Sequence, residues 1–218
     1  MAHEGLWEQL LGLNRQETAK RAKCQYLDNP ERYIVTLLNT EYVVNLSDRK
    51  IGSIQPLDSA RDRPGTSQVP AEFLEQLCLL AYLINAQDLP LADKIVKAET
   101  LPGGEFFFRG LHSLPTAKLE SAFGNCPELL LKIAERFDAK RCEFGDASIQ
   151  LYVLPRLPLT IVIWQKDEEF DARASILFDQ TAASQLPLDA LLVAVNLTVD
   201  ALVNPIRNSV RDGSNNMA

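Results

Sequence analysis

The spacing of apolar residues predicts long helices near both ends of the chain and one in its first half. Leu6 to Tyr26 carries leucines on one face and polar residues elsewhere, which is typical of an amphipathic helix. Asp28-Asn29-Pro30 ends it, because proline disfavours helical backbone at the residue before it. Ala71 to Asn85 predicts a buried helix, with Pro70 as its first residue. Pro187 opens a further helix that is expected to end near Asn204.

Runs of β-branched and aromatic residues predict a first β-meander between the first two helices. Tyr33–Leu38 and Glu41–Leu46 flank Asn39-Thr40, which together are typical of a hairpin. A third short strand is expected over Ile51–Leu57. The polar stretch Asp58–Gln68 then predicts a surface loop.

The second half repeats this style of pattern after a short candidate strand at Ile95–Glu99. A helix is expected from Pro115 to Phe123, with Gly124 as its stop, and another from about Pro127 to Asp138. A second meander follows, with predicted strands at Ser148–Leu154, Leu159–Trp164 and Ala174–Phe178.

This order of elements predicts an α+β fold built from two antiparallel β-meander units with packed helices. We expect a single domain over residues 1–205 and a flexible C-terminal tail over 206–218. Val69–Leu74 and Leu186–Leu191 open their helices in similar style, which suggests an internal αβββα duplication with pseudo-repeats at 1–100 and 101–205. Chance recurrence of a common meander topology explains the order equally well. If the duplication is real, a ligand would sit at the junction of the halves, near the connecting loop.

The charge balance argues against nucleic acid as a partner. The chain has 22 basic and 29 acidic residues, a formal net charge of −7, whereas phosphate-backbone binding requires a basic field. The apolar runs Cys78–Ile84 and Ala190–Val195 are too short for a membrane span, and the N-terminus lacks the apolar core of a secretory signal. A cytoplasmic location is therefore expected.

The four cysteines predict free thiols and no metal site. Cys24, Cys78, Cys126 and Cys142 are widely separated and include no C-x-x-C pair, which zinc and iron–sulfur sites usually show. Cys78 lies in an apolar run and is expected to act as a small core residue.

The stretch LPGGEFFFRGLHSLPT, Leu101–Thr116, holds the best candidate binding residues. Arg109 offers a forked donor for a carboxylate or phosphate, and a salt bridge to Asp167–Glu169 is the structural alternative. His112 is a candidate base, axial ligand or polar contact, close to Ser113; a histidine bonded to nearby backbone is its structural alternative. Phe106-Phe107-Phe108 cannot all face one way, so some should enter the core while one lines a cleft or interface.

A second candidate group follows the predicted strand that ends at Trp164. Trp164 could supply an apolar wall together with Phe107. Asp167 and Glu168 could act as acid–base groups or bind a hard cation, although an acidic triplet is more often a solvated turn. Gly103-Gly104 lacks both the P-loop lysine and the dinucleotide G-x-G-x-x-G pattern, so nothing here predicts a nucleotide phosphate loop.

Five segments in this order and spacing resemble the family catalogued as domain of unknown function 3786, over about Gln16 to Val203. The segments are GGEFFFRGLHSLPT, GDAS at Gly145, LPRLPLTIVIW at Leu154, DEEF at Asp167 and ILFDQTAASQLP at Ile176. The resemblance implies a protein of anaerobic bacteria or archaea, some of whose relatives carry a small four-cysteine iron–sulfur domain of a type also found in a corrinoid iron–sulfur protein. This chain has no clustered cysteines. The resemblance implies no catalytic residue.

Three functions are compatible with these observations. The first is a non-catalytic cofactor-binding or accessory protein, with a corrinoid or other tetrapyrrole as the cofactor that the resemblance implies. Its binding residues would be Arg109, His112, Ser113, Phe107, Trp164 and Asp167. The second is an acid–base enzyme that uses His112 with Asp167 or Glu168. The third is a protein-interaction subunit whose phenylalanines form an exposed patch.

Overall fold

The computed structural model describes residues 3–54 and 68–214, with side chains described within 3–54 and 69–205. The helices are α1 Glu4–Leu11, α2 Arg15–Arg21, α3 Phe73–Asn85, α4 Gly104–Phe107, α5 Thr116–Phe123, α6 Glu128–Ala134, α7 Ala182–Gln185 and α8 Leu188–Ser214. The strands are β1 Gln25–Asp28, β2 Glu31–Leu37, β3 Thr40–Asn45, β4 Lys50–Ile54, β5 Gln68–Pro70, β6 Ile95–Lys97, β7 Lys140–Arg141, β8 Ala147–Leu154, β9 Leu157–Trp164 and β10 Arg173–Asp179. Short 3₁₀ turns lie at Ala98–Thr100, Gly110–His112 and Glu135–Phe137.

The strands form two antiparallel five-stranded sheets, which confirms the predicted α+β fold with two meander units. The first sheet has the order β1-β2-β3-β4-β5, and the second has the order β6-β10-β9-β8-β7. Each sheet therefore contains the three predicted strands and adds shorter strands at its edges. A long helix follows each sheet in sequence, α3 after the first sheet and α8 after the second. These two helices pack against each other and so join the two halves of the chain. The internal duplication stays a prediction.

The core lies between the sheets and these two long helices. In the first sheet Tyr33, Val44 and Ile51 lie side by side in adjacent strands, and all three are buried. In the second sheet the odd-numbered residues of β9 join the same hydrophobic cluster. As predicted, Cys78 is fully buried within α3 and acts as a small apolar residue.

The first predicted helix is wrong beyond its first turns, because Leu6–Tyr26 contains two helices and the start of β1. Asn14 interrupts it: its side chain accepts a hydrogen bond from the backbone N–H of Glu17 at 3.0 Å and so begins a new helix. A periodic pattern of apolar residues does not reveal such a break, because helical spacing is present on both sides of it.

The structure also corrects two predicted boundaries in the first half. The hairpin turn is Leu38-Asn39, with Leu37 paired to Thr40, rather than Asn39-Thr40. Pro70 ends β5, and α3 begins after Glu72, whose backbone N–H donates to the Glu75 carboxylate at 2.8 Å in a capping box. The predicted loop Asp58–Gln68 lies outside the described residues, apart from Gln68 at the start of β5.

Helix α8 continues through Pro205 to Ser214, past its predicted end near Asn204. The predicted tail therefore begins as helix, and its last residues lie outside the described part of the chain. A proline removes one intrahelical hydrogen bond, which weakens a helix without always ending it. Leu188–Pro205 is long and apolar enough to cross a bilayer by length and composition alone. The helix packs against α3, α5 and α6, and 44% of the residues in this stretch are buried.

Arg156, in the turn between β8 and β9, joins the two halves of the chain. Its guanidinium donates to the carbonyl oxygens of Arg21 at 2.7 Å, Leu89 at 3.1 Å and Lys20 at 3.4 Å. It also pairs with the carboxylate of Asp88. The side chain is only 15% exposed, so these bonds stand in place of hydration at the C-terminal end of α2.

Candidate functional site

Tight backbone geometry shapes the segment Gly103–Ser113, which we call the phenylalanine loop. Gly103 has a φ of 76°, in the left-handed region that favours glycine. Gly104 is buried so closely against the backbone that a Cβ placed there would lie 2.0 Å from the carbonyl oxygen of Ala98. Arg109 N–H donates to Phe107 O at 2.8 Å, and the Ser113 hydroxyl donates to Gly110 O at 2.8 Å. The loop is thus held by its own hydrogen bonds.

The three phenylalanines point in different directions, as expected. Phe108 is buried and lies 6.3 Å, centroid to centroid, from Phe178 of β10, so it anchors the loop in the core. Phe107 is half-buried and meets the Phe108 ring edge-on at 5.0 Å. Phe106 is 80% exposed, and Leu111 on the next turn is fully exposed. The loop therefore projects two large apolar side chains into solvent from a buried anchor.

His112 stacks on the half-buried ring of Phe107. The ring centroids are 4.6 Å apart and the planes are 7° from parallel. The imidazole is exposed, and within the described residues no hydrogen bond to either ring nitrogen is found. Stacking thus holds the ring while both nitrogens remain accessible to a ligand. The alternative in which the His112 side chain ties the loop to backbone finds no support.

Arg109 does not form the salt bridge to Asp167–Glu169 that was considered as its alternative role. It pairs with Glu105, one helical turn earlier, at 3.3 Å, and both side chains are about two-thirds exposed. Its guanidinium also lies 5.9 Å from the ring centroid of Phe106. These contacts place a positive charge beside the exposed ring, and leave most of the guanidinium N–H groups accessible.

A cavity of about 300 Å³ lies beside the phenylalanine loop. Residues 113–116 form one side of it, residues 97–99 form another, and β10 forms the floor. Phe108, Ser113 and Thr116 line it, so the loop contributes to its wall. Its size is at the lower end of the range for small-molecule sites.

The other two predicted site residues occupy a separate turn. Trp164 ends β9 opposite Arg173 and packs near Gly145, where an added Cβ would lie 3.3 Å from the indole. One carboxylate oxygen of Asp167 accepts the backbone N–H groups of Glu169 at 2.8 Å and Phe170 at 2.6 Å. Among the described residues no hydrogen bond, ion pair or ring contact joins either residue to the phenylalanine loop. Phe107, Arg109, His112 and Ser113 thus form one group without them.

A comparison with protein families identifies the chain. The model of the family described as domain of unknown function DUF3786 matches residues 14–201, which is most of the sequence. The chain belongs to the DUF3786 family. No curated protein and no solved structure matches it. In the described part of this DUF3786 protein, no three His, Cys, Asp or Glu side chains are grouped so that they could hold a metal ion.

Phe106 and Leu111 were missing from the predicted site residues. Phe106 lies in the triple phenylalanine, where sequence reasoning left open which ring faces outward. Leu111 carries no comparable signal, because a single leucine between Gly110 and His112 is equally compatible with a buried position. The folded loop exposes both side chains to solvent.

Proposed function

We propose that this DUF3786 protein is a non-catalytic accessory protein that binds another protein through the phenylalanine loop. The exposure of Phe106 and Leu111 on a hydrogen-bonded loop carries this proposal. Large apolar side chains exposed on an ordered loop are typical of interaction surfaces. Burying each of these side chains in a partner would contribute about 1.5–3 kcal/mol.

The loop has the features of an interface hot spot. The guanidinium of Arg109 lies 5.9 Å from the exposed ring of Phe106, and aromatic and arginine side chains carry much of the binding energy in many interfaces. Because Gly103, the buried Phe108 and the loop's own hydrogen bonds already order the backbone, binding would cost less conformational entropy than ordering a flexible segment.

The partner that fits this surface is a different protein with an apolar cleft bordered by a carboxylate. The cleft would receive Phe106 and Leu111, and the carboxylate would accept from the accessible N–H groups of Arg109. A second copy of the chain is disfavoured because each copy carries a net charge of −7.

Site-specific photo-crosslinking in cells of the source organism tests this proposal. A photoreactive amino acid replaces Leu111, whose full exposure permits the substitution, and a control replaces the exposed Glu8 of α1. We expect an adduct of defined mass at position 111 alone, lost on Phe106→Asp. Adducts that are the same at both positions, or absent from both, would refute the proposal. An adduct of twice the chain mass would assign self-association instead.

A second candidate function is binding of a corrinoid or other tetrapyrrole through His112. The accessible imidazole nitrogens favour it, since neutral imidazole is a common metal ligand and stacking on Phe107 fixes the ring. The cavity beside the phenylalanine loop has a volume of about 300 Å³, at the lower end of the range for small-molecule sites, which is too small to enclose a tetrapyrrole. The macrocycle would therefore lie on the surface, against Phe106 and Leu111.

Absorbance titration with cobalamin and with haem tests this second candidate. We expect a shifted spectrum that is lost in His112→Ala and retained in His3→Ala, since His3 already contacts the Phe73 carbonyl at 3.0 Å. An unchanged spectrum with both cofactors would remove it. The enzyme alternative gains no support, because within the described residues no contact joins His112 to Asp167 or Glu168.

A further inference from the structure

A second cavity, of about 290 Å³, lies where the two halves of the chain meet. The first half contributes the β2–β3 hairpin and the start of α3, and the second half contributes Phe137 and α8. Its walls are mainly apolar. They include Leu37, Leu38, Phe137, Leu197 and Ala201.

Two carboxylates also line this cavity, and their surroundings differ. Asp200 is paired with the ammonium of Lys118 at 2.6 Å. Glu75 is half-buried and accepts hydrogen bonds from the Tyr42 hydroxyl at 2.7 Å and the Glu72 backbone N–H at 2.8 Å. Within the described residues no Lys, Arg or His pairs with Glu75. The Glu75 carboxylate therefore faces an apolar cavity, where it accepts two hydrogen bonds but has no cationic partner among the described residues.

The hairpin that closes this cavity is held in an unfavourable conformation. Leu38 has a φ of 49°, a left-handed backbone that costs a residue with a Cβ about 1–2 kcal/mol. Its N–H donates to Val153 O of β8 at 2.9 Å, and the Asn39 side chain donates to Arg136 O at 3.2 Å. Contacts from the second half thus fix the turn and place Leu38 in the cavity wall.

We propose that this cavity is a binding site for a small primary alkylammonium ion, with Glu75 as its anionic partner. The apolar walls would take the alkyl chain, and the ammonium would donate to the Glu75 carboxylate and the Tyr42 hydroxyl oxygen. The carboxylate of Asp200 is already paired with Lys118, so Glu75 is the carboxylate in the cavity that is left to bind the ammonium. The volume corresponds to about ten water molecules, which limits the ligand to a short chain.

Electrostatics around Tyr42 agree with this assignment. Burial and the hydrogen bond to Glu75 both raise the pKa of the Tyr42 hydroxyl. The phenol therefore stays neutral and continues to donate to Glu75, which keeps the carboxylate oriented toward the cavity.

Calorimetric titration with three probes of one size tests the site: n-hexylamine, n-hexanol and hexanoate. We expect hexylamine to bind at least tenfold more tightly than hexanol, and hexanoate to show no binding. Glu75→Gln should weaken hexylamine binding at least tenfold, whereas Glu8→Gln, which removes an exposed carboxylate that does not line the cavity, should leave the affinity unchanged. Ala201→Phe should abolish binding by filling the cavity.

Equal binding of hexylamine and hexanol, or hexylamine binding that Glu75→Gln leaves unchanged, would overturn the proposal. Absence of hexylamine binding at millimolar concentration would also overturn it. If Glu75→Gln fails to fold, methyl NMR of the unmodified chain provides the decision. The methyl signals of Leu38, Leu197 and Ala201 must shift with hexylamine and not with hexanoate. Failure here leaves the proposal for the phenylalanine loop untouched, because the two sites share no residue.

Discussion

Replacing Arg156 with methionine should destabilise the protein by about 3 kcal/mol. Methionine keeps most of the aliphatic stem but removes the guanidinium that joins the two halves. Two of its bonds to carbonyl oxygens, to Arg21 at 2.7 Å and Leu89 at 3.1 Å, are well formed, and the third at 3.4 Å is weak. A hydrogen bond from a charged donor contributes about 1.5 kcal/mol at the low end of its range, so two give about 3 kcal/mol.

Urea unfolding followed by tryptophan fluorescence and circular dichroism measures this loss. Trp7 is buried in α1 and Trp164 is 40% exposed, so the fluorescence change on unfolding comes mainly from Trp7. Coincident transitions from the two methods are needed before a free energy is assigned. A loss of this size lowers Tm by about 6–12 °C for a chain of this length.

One further variant separates the geometry of the guanidinium from its charge, and another serves as a control. Arg156→Lys keeps the charge, but a lysine ammonium cannot reach several carbonyl oxygens at once. It should therefore recover only a minor part of the stability that Arg156→Met loses. Arg141→Met removes an exposed arginine of β7 and should change the free energy of unfolding by less than about 0.5 kcal/mol. If the free energy of unfolding of Arg156→Met is within about 1 kcal/mol of that of the unmodified chain, the proposed role of Arg156 in joining the two halves is wrong.

Three other predictions concern single positions. Gly104→Ala should cost about 3 kcal/mol or prevent folding, measured by urea unfolding, because its Cβ would overlap the backbone carbonyl of Ala98. Leu111→Ser should leave Tm within about 1 °C while abolishing the crosslinked adduct at a neighbouring photoreactive position, since the side chain is fully exposed. Burial of Asp179 by itself raises the pKa of its carboxyl group. Hydrogen bonds from a neighbouring hydroxyl and from backbone amides lower this pKa by a larger amount, so the net pKa is lowered. Its contribution to stability is therefore present above the unfolded pKa of about 3.9 and lost as pH falls through the folded pKa, and Asp179→Asn should weaken this acid dependence in unfolding titrations.

The fold class followed from sequence because its signals are local. β-branched runs at Tyr33–Leu38 and Leu159–Trp164, and the apolar helix Ala71–Asn85, each express their preference within a few residues. The predicted helix Pro115–Phe123, with Gly124 as its stop, is confirmed within one residue as α5 for the same reason. The edge strands β1, β5 and β7 were not predicted, since they are short and exist through pairing with a neighbouring strand.

The site was only partly accessible from sequence. Phe107, Arg109, His112 and Ser113 lie close together because they are close in the chain, so their grouping was predictable. Trp164 and Asp167 were joined to them by chemical type alone, and the structure gives them a separate turn. A residue's chemistry indicates what it could bind, but the partners available to it are set by the path of the whole backbone.

The sequence alone determined the two meanders, the long helix that follows each of them and the unusual composition of the phenylalanine loop. Tertiary structure decided which phenylalanine became the anchor, because burial of Phe108 against Phe178 depends on how β10 is placed. It also brought the β2–β3 hairpin of the first half against Phe137 and α8 of the second, forming the cavity around Glu75. Such contacts join residues far apart in sequence, and their free energy depends on packing, which no local pattern contains.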